Sequence, residues 1–225
     1  MGKVIAIDGP AGAGKSTISR LLARKLGYRY LDTGAMYRAI TYLALEQGID
    51  IHDTEEIVQL SRNIDLNITP PDENNVSHVF INGRDVTDRL RTKEVDLNVS
   101  TVAKNRAVRE LMTEMQRNIA RSGNIILDGR DIGTRVLPDA DFKFFITASL
   151  EERARRRWKE LKDKGLEVSL AEIEKEIAER DLEDSTREIA PLVKAEDAIL
   201  IDTSHLSIPE VLDKLLSYIK DEEND

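Results

Sequence analysis

One stretch, Gly9-Pro10-Ala11-Gly12-Ala13-Gly14-Lys15-Ser16, limits what this chain can fold into more than any other feature. It has the spacing Gly-x-x-x-x-Gly-Lys-Ser, and it stands between two segments of different periodicity. Val4-Ile5-Ala6-Ile7 before it is a short continuous apolar run that reads as a buried strand. Ser16 to Leu26 after it carries Ile18, Leu21, Leu22 and Leu26 on a helical period. The glycines let the backbone curl until successive N–H groups aim at one point. The helix that follows adds its unpaired N–H groups and the positive end of its dipole. Such a unit binds phosphate, and Gly9 to Thr17 are predicted to cradle a nucleoside triphosphate. Lys15 is expected at the β- and γ-phosphates, and the Ser16 hydroxyl at Mg²⁺.

The rest of the chain sets bounds around this loop. At 225 residues, 40% of them apolar and 33% charged, it has enough material for a substantial core under a charged surface. No window approaches 18 consecutive apolar residues, so no membrane span is predicted. Met1-Gly2-Lys3 leads directly into a strand and leaves no room for a signal peptide, so a cytoplasmic location is expected. There is no cysteine, which excludes disulfides and thiolate metal sites, and the three histidines are scattered singly. A net charge of −9 argues against a nucleic-acid partner. No apolar stripe demands a partner, and a monomer is expected.

Strand and helix signals then alternate. Tyr28 to Asp32 is predicted as a strand, Ala35 to Glu46 and Thr54 to Ser61 as helices. From 63 to 91 the character changes. Asp65 to Thr69 and Val76 to Ile81 read as strands joined by the polar turn Pro70 to Asn75, and Asn82-Gly83 is a second hairpin signal before Asp85-Val86-Thr87. Helical pattern returns over Thr92 to Lys104 and Arg106 to Ser122. Asn124 to Asp128, Phe142 to Ile146 and Ala198 to Asp202 complete the core strands. Ser149 with Glu152, Ser169 with Glu172 and Ser207 with Glu210 have capping-box spacing ahead of helices. The alternation implies a parallel sheet covered by helices on both faces, with a small antiparallel insert.

In such a sheet ligands sit beyond the carboxyl ends of the strands. Two polar loops follow strands there: Asp32-Thr33-Gly34-Ala35-Met36-Tyr37-Arg38 and Asp128-Gly129-Arg130-Asp131-Ile132-Gly133-Thr134-Arg135. Arg38 and Arg130 would furnish a second anionic pocket beside the first, because a planar guanidinium grips phosphate oxygens two at a time. Asp8 and Asp128, at strand ends, either hold Mg²⁺-bound waters or accept from loop N–H groups.

Four separated motifs carry a resemblance. Asp8 to Thr17, Leu31 to Arg38, Asp128 to Thr134, and Glu179 to Arg187 followed by Ala190-Pro191-Leu192 resemble the bacterial cytidylate (CMP/dCMP) kinase family over nearly the whole chain. The resemblance implies a P-loop kinase spanning 3–220, with its core at 3–62 and 92–220. It makes 63–91 a monophosphate-binding insert, and it places a helical lid around 153–188. It also implies ATP-dependent phosphorylation of CMP and dCMP. Arg38, Arg130 and Arg187 would hold the CMP phosphate, with Thr33 at a position where some relatives have serine. Ser100, Arg109 and Asp131 would face the cytosine, and Arg180 and Asp184 the sugar hydroxyls. An ionised Asp131 would accept from the cytosine 4-amino group, with Arg130 and Arg135 as its expected cationic neighbours. In the run Arg153, Arg155, Arg156, Arg157, the first and last share a helix face and are expected at the triphosphate. Arg155 and Arg156 are expected to be surface residues, with Glu152–Arg156 and Arg156–Glu160 pairs. A GTPase reading would need Asn-Lys-x-Asp, and a transport-ATPase reading Leu-Ser-Gly-Gly-Gln; the sequence has neither.

Overall fold

The apolar run ahead of the glycine-rich loop becomes the middle strand of a sheet. The computed structural model describes residues 2–73, 76–163 and 165–221. Its elements in chain order are β1 (Val4–Asp8), α1 (Lys15–Leu26), β2 (Arg29–Asp32), α2 (Thr33–Glu46), α3 (Thr54–Asn63), β3 (Leu66–Ile68), β4 (Val79–Ile81) and β5 (Arg84–Asp85). They continue as α4 (Lys93–Lys104), α5 (Arg106–Ala120), β6 (Ile125–Gly129), β7 (Phe142–Thr147), α6 (Leu150–Asp163), α7 (Leu170–Thr186), β8 (Ile199–Asp202) and α8 (Ile208–Asp221).

Five strands pair in the order β2-β6-β1-β7-β8, every neighbour parallel. Side chains alternate across β1. Ile5 and Ile7 pack with Ile18 and Leu22 of α1 and Val211, Leu215 and Ile219 of α8. Ala6 turns the other way, joining Leu31 and Leu127 in a core with Met36 and Ile40 of α2, Val99 and Val102 of α4, and Val108 and Met112 of α5. Burial on both faces is why this strand has no polar alternation. The register sets Asp8 beside Gly129 and Asp32 beside Asp128. The carboxyl ends of β1, β2 and β6 are therefore level, and the segments leaving them meet above one point.

The change of character at 63–91 is a second, three-stranded antiparallel sheet, β3-β4-β5. Asn82 and Gly83 both have positive φ, 50° and 78°, the backbone a two-residue hairpin turn requires. Asn74 and Asn75 of the other predicted turn lie outside the described residues. Val79, Ile81, Val86 and Leu90 pack this sheet on Ala35, Ala39 and Leu43 of α2. At the opposite side α6 and α7 form a hairpin sealed by Ala154, Ile173 and Ile177.

Of the three predicted capping boxes, Ser169 and Glu172 close reciprocally at α7, and Ser207 and Glu210 exchange bonds ahead of α8. Ser149 caps through Glu152 N–H only. The Glu152 carboxylate goes instead to Arg155 and Arg156.

Candidate active site

The loop after β1 turns where only glycine fits. At Gly9, φ is +146°, and a Cβ there would lie 1.9 Å from the carbonyl oxygen of Ile146. Gly14 enters α1 in the left-handed region at φ 88°, which aims the following N–H groups into the curl. Lys15 is buried, and its Nζ donates to the carbonyl of Pro10 at 2.7 Å, across the loop it serves. Its ammonium is pushed down from the usual lysine range by burial first and by Arg130 second, with Asp128 and Asp8 opposing.

Beneath the loop stand the two carboxylates whose roles the sequence left open, and they differ. Asp8 accepts from the N–H groups of Ile132 (2.8 Å) and Gly133 (2.7 Å), one on each oxygen. It fastens the π-helical turn Ile132–Val136 to the end of β1. Burial raises its pKa to about 6 against those two hydrogen bonds. Asp128 accepts from hydroxyls instead, Ser16 at 2.7 Å and Tyr30 at 3.1 Å. Burial, then the nearby Asp32, pushes its carboxyl up. Thr33 donates to the carbonyl of Asp128 at 2.7 Å, which locks the start of α2 to the end of β6.

The arginines of α6 separate into different roles. Arg153 is buried under the loop, donating to the carbonyls of Ala11 and Ala148, both at 3.0 Å, and pairing with Asp181 at 2.7 Å. Its expected reach to a triphosphate is thus taken up by the loop's own backbone. Arg156, expected at the surface, is half-buried. It donates to the Thr203 carbonyl at 2.6 Å and hydroxyl at 3.1 Å, and it lies beside Gly14. Thr203 in turn donates to Thr147 and Ala13 carbonyls, so the residue after β8 braces the loop. The Arg156–Glu160 pair does not form, and Glu160 pairs with Arg157 instead at 3.0 Å. Arg155 is exposed on Glu152, as expected.

The second pocket is a lattice of guanidinium and carboxylate groups. Arg130 donates to Asp184 at 2.8 Å, and Arg187 lies 3.6 Å from the other Asp184 oxygen. Burial raises the Asp184 carboxyl, but Arg130, Arg180 and Arg187 outweigh it and hold the group below its ordinary value. Arg109, fully buried, donates to Asp131 at 2.6 Å and lies over the Tyr37 ring at 5.4 Å. Arg187 stands 3.7 Å from the second Asp131 oxygen. The cationic neighbours of Asp131 are therefore Arg109 and Arg187. The sequence expectation of Arg130 and Arg135 fails here because Arg130 turns to Asp184 and Arg135 to solvent. Arg38 pairs with Asp96 of α4. Arg180 Nε, like Arg109 Nε and Arg187 Nη2, is buried with no hydrogen-bond partner among the described residues. The pKa of Arg180 falls to about 10 through burial, then repulsion by Arg130 and Arg38.

Arg38, Arg109, Arg130, Asp131, Arg180, Asp184 and Arg187 are thus drawn into one lattice from α2, α5, α7 and the segments beside them. Ser100 has no side-chain hydrogen bond to this lattice among the described residues, and it lies one turn beyond Asp96 on the same face of α4. Three site residues escaped the sequence reading. Asp96 was signalled only by its spacing to Ser100, Tyr30 by a phenol inside a core strand, and Thr203 by its place just after the last strand.

A glycine-rich phosphate loop at the carboxyl edge of this five-stranded sheet, with an arginine-rich cluster beside it, defines a P-loop kinase. Solved structures share the fold. Shikimate kinase from Acinetobacter baumannii, in complex with shikimate, matches with a TM-score of 0.50 at 17% identity, over 100% of this chain and 97% of that one. A protein from Eubacterium ventriosum matches with a TM-score of 0.54 at 12% identity, over 97% and 98%. The model of the cytidylate kinase family matches residues 5–221, and the chain belongs to that family. Cytidylate kinase from Shouchella clausii is 53% identical over 217 residues, 96% of each chain. Cytidylate kinase from Carboxydothermus hydrogenoformans is 54% identical over 215 residues, again 96% of each.

Proposed function

We infer that this chain transfers the γ-phosphoryl group of ATP to CMP and dCMP, giving ADP with CDP or dCDP. The observation that carries this reading is the arginine lattice one strand away from the phosphate loop. Arg38, Arg130, Arg180 and Arg187 crowd together, and Arg180 Nε is buried without a partner while its neighbours repel it. A nucleoside monophosphate supplies what such a cluster needs: its dianionic phosphate offsets the charge and gives acceptors to Arg38, Arg130 and Arg187, and its sugar hydroxyls give one to Arg180. Family membership supports cytosine as the base, with Asp131 accepting from its 4-amino group and Ser100 and Arg109 alongside. Arg180 and Asp184 are assigned to the sugar hydroxyls.

The attacking group is already a phosphate oxygen, so no strong general base is needed. Residues 9–17 orient the triphosphate, Lys15 stabilises charge on its outer phosphates, and Arg130 and Arg157 flank the group in transfer. Arg153 contributes by holding the loop carbonyls in place. Ser16 and Asp128 fit a hard divalent cation: a hydroxyl at the first turn of α1, bonded to a buried carboxylate, is an oxygen donor set that suits Mg²⁺. Asp8 has both oxygens committed to backbone N–H groups, so the fit favours Asp128. When bound, Mg²⁺ neutralises charge on the phosphates. The insert at 63–91 and the α6–α7 hairpin are read as the monophosphate-binding insert and the lid, whose closure excludes water. Among the described residues no helix is long and apolar enough to cross a membrane. We take the working form to be a cytoplasmic monomer acting on free nucleotides, without nucleic acid.

The test is ADP release measured with CMP, dCMP, UMP, AMP, GMP and shikimate in turn. Turnover with CMP and dCMP well above the rest is expected. Preference for shikimate or a purine nucleotide would overturn the assignment.

A further inference from the structure

The pairing of Arg38 has a partner that no other part of the site explains. Asp96 sits in the first turn of α4, and its two oxygens serve two different arginines. Oδ1 takes Arg38 of α2, and Oδ2 takes Arg157 of α6 at 3.3 Å. The side chains are 12% exposed for Arg38, 26% for Asp96 and 30% for Arg157. One carboxylate thus joins an arginine on the CMP side to an arginine on the lid side. Two oxygens of one anion gripping two guanidiniums is also what a phosphoryl group at the junction of the substrates would offer.

We propose that Asp96 is a positioning residue that stands in for substrate phosphate: it holds Arg38 and Arg157 between turnovers and yields them when the nucleotides bind. The proposal rests on the reading of Arg38 and Arg157 as ligands of the two substrates. Without an anion between them, two cations brought this close by α2 and α6 repel each other, which raises the free energy of the empty site. With Asp96 between them that repulsion is offset, and the lid-side helix is tethered to α4. The same carboxylate then competes with each incoming phosphate, so it weakens ground-state binding of phosphorylated ligands. It recaptures the arginines as product leaves, which favours release. Neutralising it should therefore strengthen binding of ligands that carry phosphate and leave unphosphorylated ones alone.

The experiment is isothermal titration of the whole chain with CMP, CDP and cytidine, and with a Mg²⁺ complex of a non-hydrolysable ATP analogue. The proteins are wild type, Asp96→Asn, Arg38→Ala and Arg157→Ala. Asp96→Asn is expected to tighten CMP, CDP and the ATP analogue by about twofold to fivefold, the range for a partly exposed ion pair removed as a competitor. Cytidine affinity should not change. A merely structural Asp96 gives the opposite pattern: loss of a favourable charge at the α4 N-terminus lowers the melting temperature while CMP binding stays equal or weakens. That result, with Arg38→Ala weakening CMP and Arg157→Ala weakening the ATP analogue, would overturn the proposal and leave the site reading standing. If neither arginine variant weakens its ligand, the site reading fails and the proposal goes with it.

Discussion

Replacing Asp131 by Asn tests the proposal that this carboxylate tells cytosine from uracil. The two bases differ at position 4, an amino donor in CMP and a carbonyl acceptor in UMP. An ionised carboxylate only accepts, so it rewards the first and repels the second. Asn keeps the shape and can turn its amide to donate to UMP. Asp131 is buried, bonded to Arg109 at 2.6 Å, with Arg187 at 3.7 Å, so the substitution also removes the counter-charge of two guanidiniums. Removing one partner of a buried pair outright costs about 3–5 kcal/mol. Because Asn can still accept from Arg109, a loss of about 1–3 kcal/mol is expected. For a chain of this size that lowers the melting temperature by roughly 2–12 °C. The selectivity effect is separate: the kcat/KM ratio for CMP over UMP should fall by about 5- to 150-fold, or 1–3 kcal/mol. Steady-state kinetics on both nucleotides, with thermal melts of the same samples, read the two effects independently. Asp131→Ala is the control, expected to lower turnover of CMP without raising that of UMP. If Asp131→Asn lowers both substrates equally and the ratio survives, Asp131 serves the arginine lattice and does not read the base.

Lys15→Ala should fold normally, because among the described residues Nζ bonds only the Pro10 carbonyl, and should lose about 10³-fold or more in kcat; near-normal turnover would remove Lys15 from the chemistry. Arg180→Met should leave the melting temperature of the free protein equal or higher, since it deletes a buried cation repelled by Arg130 and Arg38. The same variant should lose CMP binding by about 10- to 150-fold, and a destabilised protein with intact affinity would contradict the assigned role. Asp8 makes a pH prediction. Its folded pKa of about 6 exceeds the ordinary 3.8, so the folded state binds more protons between these values. Its contribution to stability is therefore fully present below about pH 4 and is lost as pH rises through 6, an amount of about 3 kcal/mol. Melting curves of wild type and Asp8→Asn should converge or cross on acidification from pH 7 to pH 4. Parallel curves would refute the account.

Periodicity and turn chemistry are local, and they were legible. The apolar run Val4 to Ile7, the glycine spacing from Gly9 to Gly14 and the Asn82-Gly83 turn are each set by forces within a few residues. They specified a parallel sheet with an antiparallel insert, and the structure has both. The resemblance of four motifs went further and named the family. What spacing did not carry was the pairing of charges. Arg130 lies next to Asp131 in the chain yet bonds Asp184, 54 residues away, and Arg38 finds Asp96, 58 residues away. A long side chain chooses its partner by where whole elements dock. Helical spacing put Arg153 and Arg157 on one face, but the docking of α6 against the loop buried the first and left the second at the cleft. The same docking drew Arg156 inward to Thr203. Glycines, caps and apolar stripes act over one or two turns of chain, so the sequence by itself determined the elements and the phosphate loop. Ion pairs act through space over a few ångströms, so only the tertiary structure decided which arginines join the carboxylate lattice and which brace the loop.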